Sequence, residues 1–559
     1  MSGRCAGACT YAVPSIHHQT WKPVTAPVTF SSCRTDQLVA GLRGWTSDSG
    51  EQRTILPQTR LAALGVSIAA AACRARRRTT RRQRTCRCAE APGASAADGW
   101  FQGQLERSQT LQPFDQALSE RGAAAVRSEA SPARRQEPWR YTDLDALLYA
   151  ESSALDPPSD EALKAALGEL LEEERDGALR LVLVDGAVSP ELSSPCEAGG
   201  KGGFLGGRDA LRSQGADVGG RVTELLQPLP EVDMLQSNHR DALGCAKLAA
   251  LNQALFEDCA CLCLPPHEKP GEDDAAPTQV EVVFVSTGSS TSTLPPRLLV
   301  DAGPHRRVHV VETHLSLDPH DASLTNGLCR VLVGEGAEVK HDLFQQKAGE
   351  ARFVESLTAE VAAGASYALR VVQSGARAAR LNAVVSLVGG GASCDVSAVM
   401  VASGAQQLDL HSLIHHIVPG CESKQQHKNL VADAAECIFK GSIVVDKEAQ
   451  QTRSSQLCRS LLLSKRAKVK AMPSLRIRAD DVTCSHGAAI TELDEDELFY
   501  MAARGLSGDE ARRLLLTAFP QDLIAGLKAE SPKAYKRVLV KLKSLADSQG
   551  SSKVDRVPT

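Results

Sequence analysis

Hydrophobic and polar positions change their period twice along this chain. From about Trp100 to Pro265 the apolar residues recur mostly at helical spacing. Ala162, Leu163, Ala166, Leu167, Leu170 and Leu171 fall on one face of a helix expected over Glu161 to Arg175. A short apolar strand, Leu179 to Val184, ends at the Asp185-Gly186 turn, and Leu243 to Phe256 is helical again. The Gly-rich stretch 194–221 and the Pro- and acid-rich stretch 265–278 read as loops, and the second marks a domain boundary. From Val280 to about Ala479 the period becomes 2. Val280, Val282 and Phe284 share one face, alternating with Glu281 and Val283 on the other. The same period runs through Leu381-Ala383-Val385-Leu387, Cys394-Val396-Ala398 and Leu408-Leu410-Ser412-Ile414, with Gly389-Gly390-Gly391 and Ser403-Gly404-Ala405 between them. Strand centres recur roughly every thirteen residues with no helix signal between them, which suits a parallel β-helix in which each rung stacks on the next. The inexact repeat leaves a β-sandwich open. Past Asp480 the chain turns helical. Ser507 and Glu510 form a capping box, Ser531-Pro532 starts another helix, and Tyr535, Val538, Leu542 and Leu545 mark its buried stripe.

These periods predict a mainly helical N-terminal domain over 100–265, a β core over 279–486, a helical C-terminal domain over 487–546 and a flexible polar tail over 547–559. Composition adds the kind of core. Of 559 residues, 43% are apolar but only 4% aromatic, so Ala, Val, Leu and Ile must fill a narrow interior. No apolar run reaches the 18 or so residues of a membrane span, so no membrane insertion is expected.

The first 88 residues stand apart. They carry fourteen Lys and Arg against Asp36, Asp48 and Glu51, are rich in Ser, Thr and Ala, and end in an arginine cluster from Arg74 to Arg87. That is the composition of an organellar transit peptide, although it does not separate chloroplast from mitochondrion. Without this leader the body carries a net charge of about −15, which gives it no attraction for nucleic acid. Six of the 17 cysteines lie in the leader. The odd, scattered remainder reads as reduced thiols acting as small hydrophobes.

Motifs exclude more than they include. No Walker A sequence, Gly-x-Ser-x-Gly elbow, His-Glu-x-x-His or Cys-x-x-Cys pair occurs. On a strand, Cys259, Cys261 and Cys263 would share one face and could hold a soft metal, but the flanking Leu255, Phe256, Leu262 and Leu264 favour a buried apolar strand. His411, His415, His416 and His427 crowd one region, yet neighbours on a strand point to opposite faces, so satisfied or solvated imidazoles outweigh a ligand set. His486 is different. It lies in Asp480-Asp481-Val482-Thr483-Cys484-Ser485-His486-Gly487, where strands give way to helices, and Cys484 two residues away faces the same side. Thiolate and imidazole suit iron, zinc or copper, but two ligands are half a site and need a second chain or exogenous ligands.

Several segments resemble the SufB/SufD family of iron–sulfur cluster assembly proteins. They are Phe439-Lys440-Gly441-Ser442-Ile443-Val444-Val445-Asp446-Lys447-Glu448-Ala449-Gln450-Gln451-Thr452 with Gln456 and Leu461-Leu462-Leu463-Ser464; Ala479 to Ala488; and Leu498-Phe499-Tyr500-Met501-Ala502-Ala503-Arg504-Gly505. Glu137-Pro138-Trp139-Arg140-Tyr141-Thr142 and Leu251-Asn252-Gln253-Ala254-Leu255-Phe256 extend the likeness. The Cys-Ser-His-Gly-Ala version is similar to the SufD branch, where SufB has a Glu-His-Glu-Ala type sequence. The two loops at 194–221 and 265–278 look like insertions, and the three neighbouring cysteines depart from the family pattern.

The resemblance implies a right-handed parallel β-helix flanked by helical N- and C-terminal domains. It implies a non-catalytic scaffold that pairs with SufB through the β-helix and with the ATPase SufC through C-terminal helices, ATP being bound by SufC alone. It also implies a plastid (stromal) location, a possible homodimer when SufB is absent, and no stably held cofactor. His486 with Cys484 would lie at the SufB junction, touching transient iron or a nascent cluster. The competing reading is a carbohydrate-active β-helix lyase or hydrolase. That reading needs paired carboxylates in a groove and aromatic platforms, whereas the acids here are scattered and aromatics are scarce.

Overall fold

A computed structural model of the chain describes residues 94–107, 112–150, 155–171, 179–194, 203–212, 222, 225–226, 243–267, 277–289 and 293–551. The expected leader over 1–88 lies outside them, as does 552–559.

Alternating Val, Ala, Leu and Thr sequences separated by Gly turns build two long sheets. Ten strands form one, in the order Val482–Glu492, Thr452–Leu462, Glu422–Val431, Ser393–Ala402, Ser366–Gln373, Glu338–Gln346, Arg307–Ser316, Thr278–Ser286, Leu179–Val184, Ala187–Val188. Nine form the other: Lys468–Ile477, Glu436–Val445, Gln407–His416, Ala378–Leu387, Arg352–Val361, Leu324–Val333, Arg297–Ala302, Ala260–Leu264, Phe204–Gly206. Consecutive strands of the core alternate between sheets, and each pairs in parallel with the strand one full turn later. Ala378 lies opposite Gln407, and Gln407 opposite Glu436, so a turn takes about 29 residues. The spacing of thirteen seen in the sequence is the step from one sheet to the other.

Among the described residues the molecule is therefore mainly β, a parallel β-solenoid of about seven turns with helices before and after it; the sandwich alternative falls because the core pairing is parallel throughout. Among the described residues, antiparallel pairs occur only at the start of the solenoid, between Leu179–Val184 and Ala187–Val188 and between Phe204–Gly206 and Ala260–Leu264. The expected domain edges shift accordingly. Leu179–Val184 pairs in parallel with Thr278–Ser286, so the solenoid begins inside the segment expected to be the helical domain. It also continues past His486 to Glu492, and the last helix, Pro532–Ser551, extends beyond 547.

Inward-facing Leu381, Ala383, Val385 and Leu387 meet Leu408, Leu410 and Ile414 in one continuous lumen core. Small aliphatic side chains fit because each layer must match the layers above and below. Parallel sheets need cover on both faces, and the helices supply it. Trp139, Leu144, Leu147, Leu148, Leu251 and Leu255 pack on Leu324, Val354 and Ala378 of the nine-stranded sheet. Leu516, Ile524, Leu527, Val538 and Leu542 pack on Phe344, Val372, Val399, Val401 and Leu430 of the ten-stranded sheet. The helix Gly508–Ala518 starts at the expected capping box, with Ser507 and Glu510 each accepting from the other's backbone.

Candidate functional site: the open end of the β-helix

Both sheets stop at the same end of the lumen. Lys468–Ile477 edges the nine-stranded sheet and Val482–Glu492 the ten-stranded one, and among the described residues neither has a strand on its outer side. Such edges expose unpaired backbone donors and acceptors that invite another chain. After Glu492 the helix Glu495–Ala502 begins on an Asp494 cap, so no further rung forms.

Cys484 and His486 sit on this last strand with the same inward parity as Val482. Cys484 is half-buried against the lumen core, and its thiol is pushed up by burial, an effect partly offset by a backbone hydrogen bond involving Ser454. His486 is exposed and lies in register with buried Gln456. Behind them the lumen turns polar. His416 Nε2 lies 2.9 Å from Ser423 Oγ, which is 2.6 Å from Ser454 Oγ. Gln456 donates to Gln425 (2.5 Å), which donates to Ser412 (2.6 Å). Burial lowers His416 to about 4, with help from nearby His415, and lowers His427 to about 3, so both imidazoles are neutral at neutral pH. A polar, uncharged column thus leads to the rung that offers sulfur and nitrogen. Among the described residues, neither Cys484 nor His486 belongs to a group of three metal-capable donors.

The other candidates disperse. Cys259, Cys261 and Cys263 share one face and are buried with Phe204, Phe256 and Leu299; Cys259 and Cys261 sulfurs lie 3.5 Å apart. This is the buried-strand reading. His411 is drawn into an outer-face network, His415 pairs with Asp446 at 2.7 Å, and His416 and His427 line the lumen, so no histidine ligand set forms.

Two features lay beyond sequence reasoning. Arg380, fully buried, stacks its guanidinium 3.9 Å from the Trp139 ring and donates to the carbonyls of Pro138 and Leu243, to Thr142 and to Asp409. It clamps the Glu137–Thr142 motif onto the β-helix. Trp139 Nε1 in turn donates to the Gly244 carbonyl at 3.0 Å, and a Cβ at Gly244 would lie 2.4 Å from that nitrogen. A lone arginine inside an apolar alternating run was the available signal. The second feature is the helix Glu495–Ala502, which buries no residue and leaves Phe499 74% and Tyr500 57% exposed. Large exposed aromatics side by side mark an interaction surface.

Comparison with known proteins fits this architecture. Residues 284–519 match the family described as SUF system FeS cluster assembly, SufBD core domain, a span that runs from the early solenoid through the open end. The chain is 30% identical over 414 residues to the Arabidopsis thaliana protein named ABCI7, chloroplastic, covering 73% of this chain and 82% of that protein. The chain belongs to the SufBD family.

Other SufBD relatives agree. An Escherichia coli iron–sulfur cluster assembly protein SufD is 26% identical over 413 residues, 72% of this chain and 86% of the relative. A Synechocystis SufBD family protein is 27% identical over 409 residues, 70% and 83%. This chain is thus a SufBD-family iron–sulfur cluster assembly protein, and the carbohydrate-enzyme reading is not favoured. Among the described residues no helix is long and apolar enough to cross a membrane.

Proposed function

We propose that this chain is the non-catalytic, SufD-type scaffold of a three-component assembly complex, working in the plastid stroma after loss of its leader. The observation that carries the reading is the open rung: two strand edges with no outer neighbour among the described residues flank a half-buried thiol and an exposed imidazole. A SufB-type β-helix would cover the open lumen and extend both sheets by edge pairing. Its own donors would complete the site at Cys484 and His486, where iron or a nascent cluster passes as cargo. Without SufB, the same edges would pair with a second copy of this chain. The exposed Phe499 and Tyr500, together with the docked C-terminal helices, supply a surface for the ATPase SufC, which alone would bind ATP. Closure of two ATPase subunits would then pull on the helical layers and strain the junction. Plastid residence is supported by the Arg-rich leader composition and by the name of the Arabidopsis relative.

The test is co-expression with SufB and SufC, comparing wild type with His486→Ala for complex mass and for iron and sulfide retained after anaerobic reconstitution. An intact complex with reduced iron is expected. Full cluster loading in the variant would remove His486 from the metal path. Failure of the wild type to form any complex would overturn the scaffold reading.

A further inference from the structure

The early lumen is apolar, lined by Val280, Val282, Leu298, Val300, Val308 and Val310. Beyond Val310 on the same strand, it is not. Glu312 and His314 continue the inward positions of Arg307–Ser316, His341 points in from Glu338–Gln346, Cys329 from Leu324–Val333 and Glu355 from Arg352–Val361. None of the five is more than 1% exposed. Four consecutive strands of both sheets therefore contribute ionisable groups to one sealed layer.

Burying a carboxylate costs several kcal/mol unless charge and hydrogen bonds compensate it. Here compensation is incomplete. Glu312 Oε1 lies 3.0 Å from His314 Nε2, and its Oε2 lies 2.9 Å from His341 Nε2, whose Nδ1 is 3.0 Å from the Tyr367 hydroxyl. Glu355 Oε2 and His314 Nδ1 have no hydrogen-bond partner among the described residues; that oxygen stands 3.6 Å from His314 Nε2. The donors of Glu312, His314 and Glu355 all lie within 4.8 Å of one another, and so do those of Glu312, Cys329 and His341. The space is kept by Gly327, in register opposite Glu355, where a Cβ would come within 3.4 Å of the Glu355 side chain. His314 also lines a recess of about 10 Å³ with Phe284, Ser286, Thr325 and Lys347, room for one water-sized particle.

We propose that this layer is a binding site for one divalent first-row transition ion, held by Glu312, His314 and Glu355 and bounded by His341. Mixed imidazole and carboxylate donors suit Fe²⁺, Mn²⁺ or Zn²⁺ more than a soft monovalent ion. Two carboxylates balance one divalent charge, so the loaded layer is neutral, as a low-dielectric interior requires. Burial alone would raise the Glu312 carboxyl, but hydrogen bonds from His314 and His341 outweigh it and keep Glu312 ionised. Burial and the Glu312 charge push the Glu355 carboxyl well up. Both carboxylates bind the ion deprotonated, and any proton on Glu355 leaves to solvent as the ion enters. Cys329 groups with Glu312 and His341 but not with His314 and Glu355, which leaves its sulfur outside the ligand set. The site is independent of the open-end reading, lying several turns away along the solenoid.

The test uses the full chain purified anaerobically, loaded with Fe²⁺ or Co²⁺, desalted and assayed by elemental analysis. Wild type is expected to retain about one ion per chain through N/O ligands. Glu312→Gln and Glu355→Gln, which keep the side-chain shape, should weaken retention at least a hundredfold with an unchanged circular dichroism spectrum. A Cys484→Ser/His486→Ala double variant should keep the ion. The proposal is overturned if wild type retains none, if the Gln variants bind as wild type does, or if the ion follows Cys484 and His486. Should the Gln variants fail to fold, X-ray absorption on Co²⁺-loaded wild type decides: imidazole scattering in an N/O shell supports the site, and a sulfur-dominated shell refutes it.

Discussion

Removing the Arg380 guanidinium tests how the N-terminal helices are held to the β-helix. Arg380 and Asp409 are 0% exposed and 3.2 Å apart. Burial would raise the Asp409 carboxyl, yet His411 and Arg380 beside it hold it below the usual carboxylate value, so it is ionised at neutral pH. Arg380→Met keeps the length and apolar stem but strands that charge, along with the Pro138 and Leu243 carbonyls. Breaking a buried pair from one side costs about 3–5 kcal/mol. Because the strain falls where Trp139 meets the sheet, the loss should appear first as opening of the N-terminal helical layer. At about 1.4 kcal/mol per tenfold, a loss near 3 kcal/mol raises the open population more than a hundredfold. Native-state hydrogen exchange across 137–149 and 243–255 measures it, with limited proteolysis as a second readout. Arg380→Met/Asp409→Leu should recover at least ~2 kcal/mol relative to the sum of the single changes, because the stranded charge is gone. A loss below ~1 kcal/mol, or strict additivity in the cycle, would refute the reasoning.

Other expectations follow from the same packing. His427, held neutral with a value near 3 against about 6.5 unfolded, lets the unfolded chain bind more protons below pH 6.5, so stability falls as pH drops from there. His427→Leu should flatten that acid limb by up to ~1.4 kcal/mol per pH unit between pH 6 and 4, read from urea midpoints; an unchanged slope would mean the imidazole is not the titrating group. Leu542→Ala, at a position fully buried against the outer sheet face, should cost about 2–5 kcal/mol and speed exchange through 532–551 first. Phe499→Ser with Tyr500→Ser should leave stability within about 0.5 kcal/mol while weakening capture of the proposed ATPase partner in a pull-down; a large fall in melting temperature would show the pair to be structural.

Much of the fold was legible because alternation is a local property. Leu381-Ala383-Val385-Leu387 declares one inward face whatever its neighbours are, and the Ser507 and Glu510 cap declares a helix start within four residues. The Cys484–His486 pair was likewise visible as a thiol and an imidazole two residues apart where strands end. What alternation cannot specify is which residues share a layer, since that is set by pairing across about 29 residues per turn. Register alone stacks His486 on Gln456 and brings Glu312, His314, His341 and Glu355 into one sealed space from three strands. Likewise, Arg380 reads as a lone charge in an apolar run until the tertiary fold sets Trp139, 241 positions earlier, over its guanidinium. The exposure of Cys484 and His486 was decided last and least locally. It exists because the chain leaves the solenoid after Glu492 for a helix, so that no further turn of strand covers the rung on which they lie.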